Sequence, residues 1–265
     1  MSEFWRTAIT SVAQDEILVR GYPIQDLVRH RSFGDALYLM LTGDLPAGQE
    51  GRLVEAILVS CVDHGLASPS ADAVRFVASS GVPLQTAVAA GVSSIGDVHG
   101  GAIEPCAKLL QEAVRAGWEA SYILGKLRAE RRRLPGFGHP VHTADPRAAV
   151  LIELAQAWNL VGPHTALALS LEREAGQHLG RRLPMNVDGA VAGLMCDMNI
   201  DPALGKAFFI VGRTPGYVAH AYEQMTAERP FKAADPSEIT YTGPARRSVT
   251  PAATFNDTTT TNAQE

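Results

Sequence analysis

Apolar residues recur along this chain at the three-to-four-residue spacing of helices. Residues 33–42, FGDALYLMLT, place Leu37, Met40 and Leu41 on one face, and Gly43 follows as a stop signal. Residues 51–63 carry Leu53, Ile57, Leu58 and Cys61 as a second stripe. In residues 101–117, Ile103, Ala107, Leu110 and Val114 turn inward while Glu112 and Arg115 turn out. Residues 71–80 and 84–95 are rich in Ala and Val, as in tightly packed helices. The same reading predicts helices over 118–133, 146–158, 163–179, 186–198, 202–212 and 215–227. Strand signals are few: ILVRG at 17–21 and ITYTG at 239–243. The expected fold is almost all-α, without an internal repeat.

Composition narrows function more than fold. The 265 residues suffice for one large domain or two smaller ones. With 46% hydrophobic and 19% charged residues, the make-up is that of an ordinary soluble protein. A net charge of −5 and a pI of about 5.9 argue against a broad nucleic-acid-binding face. The basic run RAERRR at 128–133 is either a solvated helix face or a phosphate contact. No apolar stretch is long enough to span a bilayer. The N-terminus, MSEFWRTAIT, lacks the basic start and apolar run of a signal peptide. Three scattered cysteines, without a CxxC pair, argue against zinc and for a reducing, cytoplasmic setting. The polar end at 254–265, TFNDTTTTNAQE, is expected to be a disordered tail.

Five segments carry residues suited to chemistry. CVDHGL (61–66) holds Asp63 and His64. IGDVHGGA (95–102) sets His99 before two glycines and a helix. LPGFGHPVHTADPR (134–147) holds His139 on a loop stiffened by Pro135 and Pro140 and ends on Arg147. Its Gly136 and Gly138 leave bare backbone that a ligand can approach. PMNVDGAV (184–191) sets Asp188 beside Gly189, and VGRTPGYVAHAYEQ (211–224) adds Arg213 and His220. Each has a structural alternative. A lone histidine on a helical face is usually a packing residue. Asp188 could cap the helix that follows. Arg213 could be a buried ion-pair partner, and 134–147 a plain turn between helices. There is no HExxH, tight carboxylate cluster, GxSxG or Walker glycine loop, so a catalytic metal is not indicated.

In this order, the segments resemble the citrate synthase superfamily. The likeness begins at RGYPIQDLVRHRSFGDALYLMLTGDLP (20–46). It runs through DHGLASPSADAVRFVASS, GDVHGGAIEPCAKLL, PGFGHPVHTADPR and NVDG, and ends with VGRTPGYVAHAYEQ and ERP. It covers roughly residues 15–245. IGD before HGG, NVDG and the ending DPSEITY are most similar to the citryl-CoA lyase branch, which includes the lyase portion of ATP-citrate lyase. Pro140 stands where the family commonly has an arginine, and His139 lies one residue closer to Arg147 than is usual. Both departures bear on the acceptor acid.

The resemblance implies an all-α fold with a large domain (about 1–100 and 206–253), a smaller inserted domain (about 101–205) and an active-site cleft between them. It implies reversible cleavage of citryl-CoA, or a similar hydroxyacyl-CoA, to acetyl-CoA and oxaloacetate through an acetyl-CoA enol or enolate. In that chemistry Asp188 is the base at the methyl carbon, His99 the donor to the thioester oxygen, and His139 the acid or base at the acceptor oxygen. His64, Arg147, Arg213 and Arg229 hold substrate carboxylates, with Arg229 reaching in from a neighbouring subunit. Pro135, Gly136, Phe137 and Gly138, with Arg131, Arg132 and Arg133, receive coenzyme A. CoA is substrate or product; no resident cofactor or metal is implied. The expected assembly is a homodimer or dimer of dimers, using the apolar helices of 71–95, without nucleic acid or membrane. The related alternatives are a citrate or 2-methylcitrate synthase, a lyase for another oxo-acid, and a non-catalytic acyl-CoA-binding paralogue.

Overall fold

The computed structural model describes residues 4–138, 144–179 and 183–249. The chain opens with a small antiparallel sheet of β1 (Thr10–Ala13), β2 (Glu16–Val19) and β3 (Tyr22–Pro23) in the order β1-β2-β3. Val19 pairs with Thr10 on one side and with Tyr22 on the other. Arg20 and Gly21 both take positive φ, +49° and +85°, as the tight turn between β2 and β3 requires.

Among the described residues, eleven α-helices follow. They are α1 (Ile24–His30), α2 (Phe33–Thr42), α3 (Glu50–Cys61), α4 (Pro69–Ala78), α5 (Leu84–Ser93) and α6 (Ile103–Ala116), then α7 (Ala120–Ala129), α8 (Pro146–Ala157), α9 (Pro163–Leu179), α10 (Val187–Asp197) and α11 (Gly205–Ala227). None is long and apolar enough to cross a membrane. Local signals set several ends. Ser32 and Asp35 form a reciprocal capping box on α2, and Gly43 closes it in the left-handed region.

The sequence expectations hold for most helices and fail at particular places. In α2, Leu39 is fully buried while Met40 is exposed. ITYTG at 239–243 forms no strand; among the described residues the one sheet is β1-β2-β3. The expected break at 213–214 is absent, and α11 runs through Pro215. Proline removes one helical hydrogen bond, but α11 packs against α3, α4 and α5, and that packing outweighs the loss. The tail expected at 254–265 lies outside the described residues.

Residues up to Lys232 form one compact unit, and the chain from Ala233 forms a second, small one. Within the first, the main core gathers α3, α6, α7, α8, α9 and α10, and a smaller cluster joins Val74, Ala78, Ala87, Tyr217 and Ala221. Helix α10 is buried on nearly every side, and both its ends are pinned. At its C-terminal end, the Asp197 carboxylate accepts the N–H groups of Gly162, His164 and Thr165 at 2.9–3.0 Å, which caps α9. At its start, segment 136–138 lies against 184–186. Gly138 N–H donates to Pro184 O (2.7 Å), Asn186 N–H to Gly136 O (3.1 Å) and the Asn186 side chain to Gly138 O (2.8 Å).

That seat needs two glycines. Gly136 has φ +79°, and a Cβ there would come within 2.7 Å of Gly189 Cα. A Cβ on Gly189 would strike the carbonyl oxygen of Gly136. Gly189→Ala is therefore expected to lower stability by ~1–3 kcal/mol, the usual range for overpacking, read as a fall in the urea midpoint at unchanged slope.

Candidate functional site

The first turn of α10 carries Asp188. Asn186, not Asp188, caps the helix: its Oδ1 accepts the N–H groups of Asp188 (3.0 Å) and Gly189 (3.2 Å). The Asp188 side chain is thereby released from capping. Its Oδ1 is buried and has no hydrogen-bond partner. Burial raises the carboxyl to about 6; Arg147 and Arg213 pull it down and Asp145 pushes it up. A carboxyl poised there can take and return a proton near neutral pH.

Asp145 organises the other side of this group. It is almost fully buried, caps α8 ahead of Pro146, and accepts the N–H groups of Arg147 and Val187, each at 3.0 Å. Arg147 closes a two-pronged ion pair on it, with Nε at 3.0 Å from Oδ1 and Nη2 at 2.8 Å from Oδ2. Burial works against the Asp145 anion, yet Arg147 and the Val187 N–H hold its carboxyl below the usual range. Arg147 itself remains partly exposed, with 21% of its side-chain surface open.

His99 stands on a tight turn in which the backbones of Gly96 and His99 exchange hydrogen bonds of 2.9 and 3.1 Å. Its Nε2 lies 2.8 Å from the hydroxyl of Ser70, which is fully buried at the start of α4. Burial, then the charge of Arg213, keep the imidazole below its ordinary value. Both effects favour the neutral ring. Arg213 is buried on α11, donates Nε–H to Cys61 O, and has its guanidinium 5.5 Å from the Phe209 ring centroid. Tyr217, one turn on, points a buried hydroxyl toward the same cluster, where Ser70 and Arg213 both act on it.

Arg213 thus acts on both His99 and Asp188, while Arg147 acts on Asp188. Among the described candidates, these four form one electrostatic group. His64 is exposed on the loop after α3, and Arg229 is exposed beyond α11, its carbonyl accepting from Gln224 Nε2 at 2.9 Å. His139 and Pro140 lie outside the described residues. Phe137 packs into the core and Gly136 is buried against Gly189, so the glycines of this segment have a structural reason of their own. Pro135 and Gly138 are partly exposed.

Arg131, Arg132 and Arg133 are exposed; Arg132 pairs with Glu130 at 3.0 Å. Arg132 also borders a groove of about 220 Å³ between α6 and α7, lined by Lys108, Trp118 and Lys126 among others. That groove contains none of the four residues above. Among the described residues, no group of three His, Cys, Asp or Glu is placed to hold a metal ion.

Sequence reasoning did not single out Ser70 or Asp145. Asp145 carried a signal, Asp-Pro at a helix start, which is a capping pattern. Ser70 carried none: its partner is 29 residues away.

Because the Asp188 value lies above the ordinary 3.8, the folded chain binds this proton more tightly than the unfolded chain. Its contribution to stability is full below about pH 4 and is lost as pH rises through about 6. Asp188→Asn is expected to be more stable than the unsubstituted chain at pH 7–8, by up to about 3 kcal/mol, and equal to it near pH 4. Denaturant titrations across that range check this.

The family model "Citrate synthase, C-terminal domain" matches residues 3–52 and 48–234. "Putative citrate synthase 2" of Mycobacterium tuberculosis is 36% identical over 203 residues, covering 74% of this chain and 52% of that protein. The chain thus spans about half the length of the curated relatives it matches. Among solved structures, citryl-CoA lyase from Hydrogenobacter thermophilus is 42% identical with a TM-score of 0.90, covering 93% of this chain and 98% of that one. ATP citrate lyase from Methanothrix soehngenii, solved with citrate and coenzyme A, shares the fold at 22% identity and a TM-score of 0.84, covering 92% of this chain and 42% of that one. The matched span takes in His99, Asp145, Arg147, Asp188 and Arg213, and this chain belongs to the citrate synthase family.

Proposed function

We propose that this chain is a citryl-CoA lyase-type enzyme. It would cleave citryl-CoA, or a similar hydroxyacyl-CoA, reversibly to acetyl-CoA and oxaloacetate. The observation that carries the reading is Asp188: a buried carboxyl raised to about 6, with one oxygen unpartnered, under the influence of two arginines. The likeness to a citryl-CoA lyase over nearly the whole of both chains supports it.

In the cleavage direction, His139 takes the proton of the substrate hydroxyl. The carbon–carbon bond breaks, its former O–H pair becomes the carbonyl of oxaloacetate, and the electrons of the broken bond pass to the thioester as an enolate. His99 holds the developing charge on the thioester oxygen. Ser70 occupies Nε2, which leaves Nδ1–H for that oxygen. Asp188 then returns a proton to the carbon, giving acetyl-CoA. Condensation runs the same steps backward, with Asp188 as base. Arg147 and Arg213, with His64, grip the carboxylates. Pro135 and Gly138, with Arg131, Arg132 and Arg133, receive coenzyme A.

The same reading puts the site in a cleft between a large domain (1–100 and 206–253) and a smaller one (101–205), whose closure excludes water. It includes a homodimer or dimer of dimers in which Arg229 reaches a neighbouring site. Exposed Phe76 and Leu84, on α4 and α5, support a helical interface there. A synthase that also hydrolyses the thioester is the second reading, favoured by the relatives named as citrate synthases.

Incubation with citryl-CoA is the direct test. Acetyl-CoA and oxaloacetate are expected without free thiol; stoichiometric free CoA would favour the synthase, and no turnover would end both readings. Asp188→Asn and His139→Ala should each lower kcat by about 10²–10⁴-fold, the usual span for acid–base groups, with the fold intact by circular dichroism. The condensing rate should fall as pH drops below about 6, where Asp188 becomes protonated.

A further inference from the structure

One pair of ionisable side chains stands beside this machinery without a part in it. His220 Nε2 lies 3.0 Å from Asp63 Oδ1, joining α11 to the loop after α3 across 157 residues of sequence. The approach is built into α11. Gly212, Gly216 and His220 recur every four residues, so they lie along one ridge. A Cβ on Gly212 would meet Leu58 O at 2.9 Å, and one on Gly216 would strike Val62 O and come within 3.1 Å of Asp63 Oδ1. Two missing side chains thus let the end of α3 and the first loop residues press onto the helix. Arg213, beside the ridge, takes the Cys61 carbonyl.

Asp63 then folds the loop around itself. Its Oδ2 accepts Gly65 N–H at 3.0 Å, Gly65 turns at φ +66°, and the buried Ser68 hydroxyl donates to Gly65 O at 3.0 Å. His64 is the residue between Asp63 and Gly65, and Ser70, which holds His99, follows two positions after Ser68. The local turn fixes the shape of the loop; the long-range contact to His220 fixes where that shape sits.

We infer that His220, through Asp63, is a positioning residue that holds His64 in place for a carboxylate of the oxo-acid half of the substrate. The inference rests on the proposed reaction and extends it to α11. A polar contact of this exposure, 15% for the His220 side chain and 41% for Asp63, contributes little to stability. Its value therefore lies in orientation. On the same stretch of α11, Arg75 donates to the His220 carbonyl at 3.4 Å and is held by Glu223 at 2.6 Å.

The test uses the full chain in the condensing direction. His220→Ala is expected to raise KM for oxaloacetate about tenfold, with KM for acetyl-CoA, kcat and Tm nearly unchanged. His220→Gln, whose amide N–H can still donate to Asp63, should recover most of the loss. His64→Ala with His220→Ala should be no worse than His64→Ala alone, because the second residue acts through the first. Additive losses, equal changes in both KM values, a fall in Tm, or no change in KM would each overturn the inference while leaving the reaction standing. Absence of turnover in the unsubstituted protein would overturn the reaction, and this inference with it.

Discussion

Asp145 holds a negative charge inside the protein, and the site around it depends on how that charge is balanced. A buried anion is tolerated only when paired and hydrogen-bonded. Here the Arg147 fork takes both oxygens, and the Val187 N–H adds a third contact. The two elements so joined are the starts of α8 and α10. One carboxylate therefore sets both Arg147 and the helix that carries Asp188. It also acts on Asp188 directly as a like charge, raising its proton affinity along with burial. Removing one partner of such a pair leaves the other stranded, which is more damaging than never having had either.

The backbone is drawn tight around the same point. Segment 136–138 seats on 184–186 through three hydrogen bonds, and Gly136 meets Gly189 backbone to backbone. Asn186 performs the capping that would otherwise engage Asp188. The neighbours of Asp188 thus satisfy one another, and its Oδ1 is left buried without a hydrogen-bond partner.

Much of this was readable in the sequence, and the limits have physical causes. Helix positions followed from apolar spacing, and α2 and α9 matched their expected ranges. Strands β1 and β3 and the short α1 were not foreseen, since they are brief and mostly exposed and so leave no periodic stripe. A break before Pro215 was expected because local propensity cannot see the three helices that embrace α11. The residue types suited to acid–base and carboxylate chemistry stood out in Asp188, His99, Arg147 and Arg213. Ser70 did not, because its part is conferred by a contact across space. The glycines near His139 drew attention as a ligand approach, whereas Gly136 is also demanded by its contact with Gly189.

Helix α10 has a consequence for how the site around Asp188 comes to form. It has no polar stripe and includes Gly189, Gly193 and two valines, a poor recipe for a helix standing alone. Its support comes from α6, α8 and α9, the first of which lies some eighty residues earlier in the chain. Such distant contacts close late and slowly during folding. Until they do, Asp188 is an ordinary aspartate in water. Its unusual affinity for a proton is a collective property, acquired only when the whole assembly has condensed.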